Sequence, residues 1–249
     1  MSVPALRRER SEEELRAVNQ SFFDDLWRDS RLIGPERFNT WPLVRELAAS
    51  APRRLEIAPG LRPRLPIAGT RFVDISAPAL RTLRDAGGGG ARGSITALPF
   101  ADASFDLVCA LDIIEHVDDD DRAFAELVRV SAPGAAFLLS IPLHPERWTT
   151  LDDLVGHRRR YEPERLLAIL ARHGLGVDRT AEHSMQPKSS RLVDFGMWFL
   201  VHRRGRAIWW YNNVIMPLAV RFEKPLQLTH GLVDLARADE ILLVCRRAH

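Results

Sequence analysis

The sequence predicts an α/β fold in which a mostly parallel sheet is covered on both faces by helices. Two observations carry this prediction. From about residue 53 onward, short apolar runs alternate with longer amphipathic segments. The runs are continuously apolar rather than alternating, as strands buried on both faces must be.

Taken in order, residues 11–30 (SEEELRAVNQSFFDDLWRDS) open with a Ser cap and early glutamates, and residues 41–50 (WPLVRELAAS) form a second helix. RRLEIA (53–58) and TRFVDIS (70–76) read as buried strands. APALRTLRDAG (77–87) is a helix ended by glycines, and GGGG (87–90) reads as a flexible turn. ARGSITA (91–97) is a weak strand and SFDLVCAL (104–111) a strong one. DDDD (118–121) reads as a solvated run favoured by the dipole of the following helix, DRAFAELVRVS (121–131). AAFLLSIP (135–142) is a strand followed by a polar loop to Tyr161, and Pro163 starts the helix PERLLAILARHG. GVDRTAEHS (176–184) and EILLVCRR (240–247) are the last strands. The domain reading is a helical cap over 1–50, a core over 51–184 and 239–249, and a helical insertion over 185–238. That insertion is rich in tryptophan and arginine and reads first as a cap packed on the sheet, with a substrate-shaping lid or dimer surface and a membrane-surface attachment as the alternatives.

Composition narrows the function. With 46% hydrophobic and 27% charged residues the chain is globular, and a net charge of +2 offers no broad nucleic-acid surface. The first residues turn charged at once, and no run of 18 apolar residues occurs, so a cytoplasmic protein without an integral membrane segment is expected. Cys109 and Cys245 both lie in apolar strands and read as buried free thiols.

RLEIAPGLRPR (54–64) looks like a nucleotide loop with too few glycines for a pyrophosphate. A ligand without phosphates needs only a tight turn, exposed backbone groups and a carboxylate, which EIAPG supplies. Asp74 ends the next strand, where a carboxylate can accept hydrogen bonds from a ribose. Then follows SITALPFADASFDLVCALDIIEHV.

With ALPFADASFDLV followed by LDIIEHV, the chain resembles the class I S-adenosylmethionine-dependent methyltransferases of the type 11 branch, over roughly residues 37–184 and the final strand. GHRRRYEPERL (156–166) resembles a segment that this branch carries after its fifth strand. The resemblance implies a Rossmann-like, doubly wound sheet in the order 3-2-1-4-5-7-6 with strand 7 antiparallel, which separates Cys109 from Cys245 by one strand. It implies that Glu56 and the Ala58–Gly60 turn meet the methionine end, Asp74 the ribose, and Ser94, Ala97 and Leu98 the adenine. Leu111 would lie near the sulfonium, and Arg37, in ERFNTWP, would meet the methionine carboxylate. Two departures stand out: Ala58 and Arg62 replace small loop residues, and Ser94 stands where the family often has an acid.

S-adenosylmethionine is thus the expected cofactor and a small-molecule hydroxyl the expected acceptor, with a homodimer through 185–238 as an expected assembly. A lipid or quinone acceptor at a membrane surface, or a non-catalytic scaffold, are the alternatives. His116 and His144 are the candidate bases, because both follow strand ends at the crevice. His157, Tyr161 and Trp148 are the candidates for substrate contact. Asp112, Glu115 and His116 share a helical face if their segment is helical, and a similar cluster in quinone O-methyltransferases is associated with a divalent cation. The helix-start reading of that acidic pair is preferred, so no metal is expected.

Overall fold

The computed structural model describes residues 23, 24, 26, 27, 30–183, 196, 198–200 and 202–248. Most of the helix expected over 11–30 lies outside the described residues, as do residue 184 and the insertion's first part, 185–195. Phe23, Asp24, Leu26 and Trp27 are helical.

The elements are α1 (Trp41–Ala49), β1 (Arg54–Ile57), β2 (Thr70–Asp74), α2 (Ala77–Asp85), β3 (Gly89–Arg92), β4 (Phe105–Leu111), α3 (Asp120–Val130) and β5 (Ser131–Pro142). They continue with α4 (Thr150–Val155), α5 (Pro163–Arg172), β6 (Leu175–Glu182), α6 (Arg204–Trp210), α7 (Met216–Arg221), β7 (Thr229–His230) and β8 (Glu240–Arg247). Ser76 caps α2 by accepting from Ala79 N, Asp119 caps α3 by accepting from Arg122 N, and Thr149 with Asp152 forms a capping box on α4.

The sheet runs 3-2-1-4-5-8-6-7, with β8 antiparallel to both neighbours, β5 and β6. This is the expected order, because β8 is the final strand, plus one two-residue edge strand, β7, from the chain between β6 and β8. Side chains alternate across β4 into two apolar layers. Val108 and Ala110 join Phe124, Leu127, Leu166 and Ile169 on one face. Leu107 and Cys109 join Leu43, Val44 and Leu47 of α1 on the other. Burial on both faces is why these strands read as continuous apolar runs. Cys109 and Cys245 are buried and free, on strands separated by β5.

Two local expectations are corrected. Gly89 and Gly90 open β3 instead of making a turn. Close packing explains the glycines here: a Cβ on Gly88 would come within 2.6 Å of the Phe72 ring, and one on Gly90 within 3.0 Å of Leu80. The acidic run 118–121 is not merely solvated. Asp118 pairs with Arg158, Asp120 with Arg159 and the Tyr161 hydroxyl, and Asp121 with Arg172 and His173.

Candidate cofactor and active site

The C-terminal edge of the central strands carries the candidate site. After β1 the backbone enters the left-handed region twice, at Ala58 (φ 53°) and Gly60 (φ 55°). Gly60 meets this demand without a Cβ, whereas Ala58 tolerates a conformation costing about 1–2 kcal/mol for a residue with one. Glu56 is buried, and its two carboxylate oxygens accept from the backbone N–H groups of Arg64 (2.8 Å) and Leu65 (2.9 Å). It therefore closes the loop on itself. Burial pushes its carboxyl up to about 7, against those two bonds and the charge of Arg64.

Asp74, buried at the end of β2, accepts from Gly60 N (3.0 Å) and Ser76 N (2.8 Å) and so joins the first turn to the second. Burial raises its pKa, with the surrounding N–H groups opposing. The indole of Trp27 lies against this turn, and a Cβ built on Gly60 would sit 2.2 Å from its Cζ2. The missing Cβ at Gly60 is what lets the ring approach the backbone so closely. Leu98 is buried, with its N–H donated to Glu126, while Ala97 is exposed beside it. Ser94 is part-buried, and its hydroxyl bonds that of Thr96. Leu111 is part-buried at the end of β4, and Arg37 is exposed in the turn Pro35–Arg37.

Past β4 the expected Asp112–Glu115–His116 face is divided, because the chain turns at Asp112 (φ 50°) and then makes a 3-10 turn over Ile114–His116. Asp112 turns toward Ser140, which donates to it at 2.5 Å. Glu115 and His116 turn toward His157, the Glu115 carboxylate lying 3.7 Å from His157 Nε2 and the His116 ring 4.6 Å from the His157 ring. His116 also meets Phe23 edge-on and bonds the Gly156 backbone, and its Nδ1 has no hydrogen-bond partner. Burial and then the neighbouring His157 push its pKa down to about 3, so this imidazole is neutral throughout the physiological range.

His144 (φ 63°) is buried, with Nε2 donating to Leu235 O at 2.9 Å and Nδ1 3.3 Å from Glu146. Trp148 donates from Nε1 to Asp153. Tyr161 is buried in the core with its hydroxyl bonded to Asp120, and burial raises its pKa far above the ordinary value. His157 bonds Asp152 (2.8 Å), which also takes a two-point contact from Arg160. Burial alone would raise the Asp152 carboxyl. The bonds from His157, Arg160 and Thr149 outweigh it and hold the pKa well below the ordinary 3.8.

A methyltransferase-domain family model matches residues 62–139, the stretch from the Gly60 turn into β5. A probable S-adenosylmethionine-dependent methyltransferase of Mycolicibacterium smegmatis is 35% identical over 92 residues, 35% of each chain. Norajmaline N-methyltransferase of Rauvolfia serpentina is 43% identical over 47 residues, 19% of this chain and 16% of that one. These matches thus span about a third or less of the relatives' length. The fold match is broader: an S-adenosylmethionine-dependent methyltransferase from Thermotoga maritima superimposes with a TM-score of 0.56 at 14% identity, over 94% of this chain and 93% of that one. Residues 62–139 thus carry the match to the methyltransferase-domain family, and the chain as a whole shares the fold of S-adenosylmethionine-dependent methyltransferases.

Sequence reasoning missed several residues around this candidate site. Arg62, noticed only as a departure in the loop, lies over the rings of Trp27 (5.1 Å) and Tyr211 (4.9 Å) and donates to Tyr211 Oη and Asn212 Oδ1. Asn212 in turn donates to Leu26 O, so the loop, the 23–27 segment and the insertion are fastened together. Buried Arg64 lies 3.7 Å above the Phe38 ring. The only sequence signal for these was a run of arginines in a loop where the family has small residues.

Proposed function

We propose that this protein transfers the methyl group of S-adenosylmethionine to a small-molecule acceptor, most directly a hydroxyl. The observation that carries the reading is the Asp74–Gly60 bond, which supports a single cradle made from the first two strand ends. Asp74 would hold the ribose, Ala58 and Gly60 the methionine portion, Ser94, Ala97 and Leu98 the adenine edge, Leu111 the surroundings of the sulfur, and exposed Arg37 the carboxylate. S-adenosylmethionine supplies an electrophilic methyl on a good leaving group, so the residues chiefly align the acceptor, worth up to about 7–11 kcal/mol in favourable cases. The Trp27 indole must move off Gly60 for the methionine portion to reach the backbone.

His116 is the preferred base, because its buried Nδ1 has no hydrogen-bond partner and would gain one from an acceptor hydroxyl brought against it, while the ring is held by Gly156 and His157. The two nitrogens of His144 already face Leu235 and Glu146, which leaves it a less available base. Incubation with methyl-labelled S-adenosylmethionine and panels of hydroxyl and amine acceptors tests the reading by the labelled product. With a hydroxyl acceptor, His116→Gln is expected to lower turnover by about 10²–10⁴-fold with cofactor affinity retained. The wild-type rate is expected to show no His116 ionisation near neutrality, since its low pKa leaves the base form present at every pH above about 3. Full turnover in His116→Gln removes histidine catalysis from the account.

One observation favours the lipid-surface reading. Trp198, Trp209, Trp210 and Phe222 are exposed beside exposed Arg203, Arg204 and Arg206, and the same ridge could join two copies. Among the described residues no helix is long and apolar enough to cross a membrane. Flotation with anionic vesicles separates the readings: the small-molecule account expects no recruitment, and salt-sensitive recruitment selects a membrane-bound acceptor.

A further inference from the structure

Three residues that the proposed methyl transfer does not use meet at the same edge of the sheet. Asp112 follows β4, His183 follows β6, and Glu240 opens β8. The antiparallel course of β8 brings Glu240 opposite Pro142 and next to the end of β6. One potential ligand atom from each residue lies within 4.8 Å of the other two.

Two features set this group apart from a chance acidic cluster. His183 is only 4% exposed, yet its Nε2 makes no hydrogen bond. Glu240 Oε1 is likewise buried and unpartnered, 3.7 Å from that nitrogen and too far to bond it. Each such buried atom costs about 1–3 kcal/mol, so two facing one another call for a shared partner. The Glu240 carboxyl also contacts Asp112, so the two carboxyls converge on the same spot as the imidazole. A cation placed there would satisfy both carboxyls and the imidazole nitrogen.

We propose that Asp112, His183 and Glu240 form a binding site for one divalent cation. The spacing suits it: two ligands about 2.1 Å from a tetrahedral ion lie ~3.4 Å apart, close to the 3.7 Å between His183 Nε2 and Glu240 Oε1. Asp112 is exposed, which gives the ion a path in and leaves its remaining positions to water. An imidazole with two carboxylates suits manganese or zinc better than magnesium or calcium. The nearby Arg64 guanidinium acts on Asp112 and His183 and opposes the ion, but Glu223 and Glu56 take part of its charge. Two carboxylates against one guanidinium leave the group net negative.

The site is distinct from the Glu115–His116–His157 group, which contains two histidines and no Asp112. It also does not rest on methyl transfer, so it can be tested with the metal alone. Chelator-treated full-length protein would be titrated with Mn²⁺ while the free ion is followed by electron paramagnetic resonance. One site per chain is expected, weakened at least tenfold in His183→Gln and in Glu240→Gln and unchanged in His157→Gln. Pulsed measurements on the wild type, which need no variant to fold, are expected to detect one coupled imidazole nitrogen ligand. The absence of binding up to millimolar Mn²⁺, coupling to two imidazoles or to none, or loss in His157→Gln with retention in His183→Gln would each overturn the assignment.

Discussion

Asp152→Ala is expected to destabilise the protein by about 3–5 kcal/mol, because it leaves the buried guanidinium of Arg160 without its principal partner. Asp152 is fully buried and receives His157, both the Nε and Nη2 of Arg160, and the Thr149 backbone and hydroxyl. Asp239, 3.3 Å from Arg160 and partly exposed, can replace only part of that. For a chain of this size the loss corresponds to a fall of roughly 6–20 °C in Tm. The pH dependence carries a sign. The folded Asp152 carboxyl has a pKa below its ordinary 3.8, so the folded state binds fewer protons than the unfolded one as pH approaches and passes below that value. Its contribution is complete above the ordinary value and is lost as the pH falls toward the folded pKa. The wild type should therefore lose more stability on acidification below about pH 4 than Asp152→Ala does. Thermal melts at neutral pH with matching Tm values for the two proteins would show that the network is ornamental.

Gly60→Val is expected to lower S-adenosylmethionine affinity by at least tenfold. A β-branched residue at φ 55° costs about 1–2 kcal/mol in the left-handed conformation, which strains the turn, and its side chain would fill the space over the Gly60 backbone that the methionine portion is proposed to take. The new side chain would also strike the Trp27 ring and project from the turn that donates to Asp74. Relief through a shifted backbone would pull Gly60 N away from Asp74, so either response damages the cradle. Calorimetric titration measures the loss, and Gly60→Ala should fall between the two proteins. An undiminished affinity in Gly60→Val would put the cofactor elsewhere.

Much of the fold was legible because buried strands leave a local mark. The apolar runs at 53–58, 70–76, 104–111 and 135–142 each became a central strand, and the order followed from the family pattern carried by residues 94–117. Errors arose where a residue's environment is set by distant chain. GGGG looks like a turn until Phe72 and Leu80 pack against it, and DDDD looks solvated until the arginines of 158–160 and Arg172 close over it. The same limit applies at the site. Asp74 and Gly60 announce themselves by position at strand ends, whereas the spacing of DIIEH suggests one face and the left-handed turn at Asp112 divides it. His183 and Glu240 carry no motif at all. Only the antiparallel last strand brings them to Asp112.

The central claim is that S-adenosylmethionine binds across the turn after β1 and the carboxylate that ends β2. Calorimetric titration of S-adenosylhomocysteine, the demethylated product, into the wild type and Asp74→Ala tests it most directly. The account predicts one saturable site per chain in the wild type. Asp74→Ala should lose roughly 1.5–3 kcal/mol, about 10–150-fold in Kd, since a charged acceptor of the ribose hydroxyls is removed. Equal affinity in the two proteins, or no binding to a folded wild type at millimolar ligand, would contradict it.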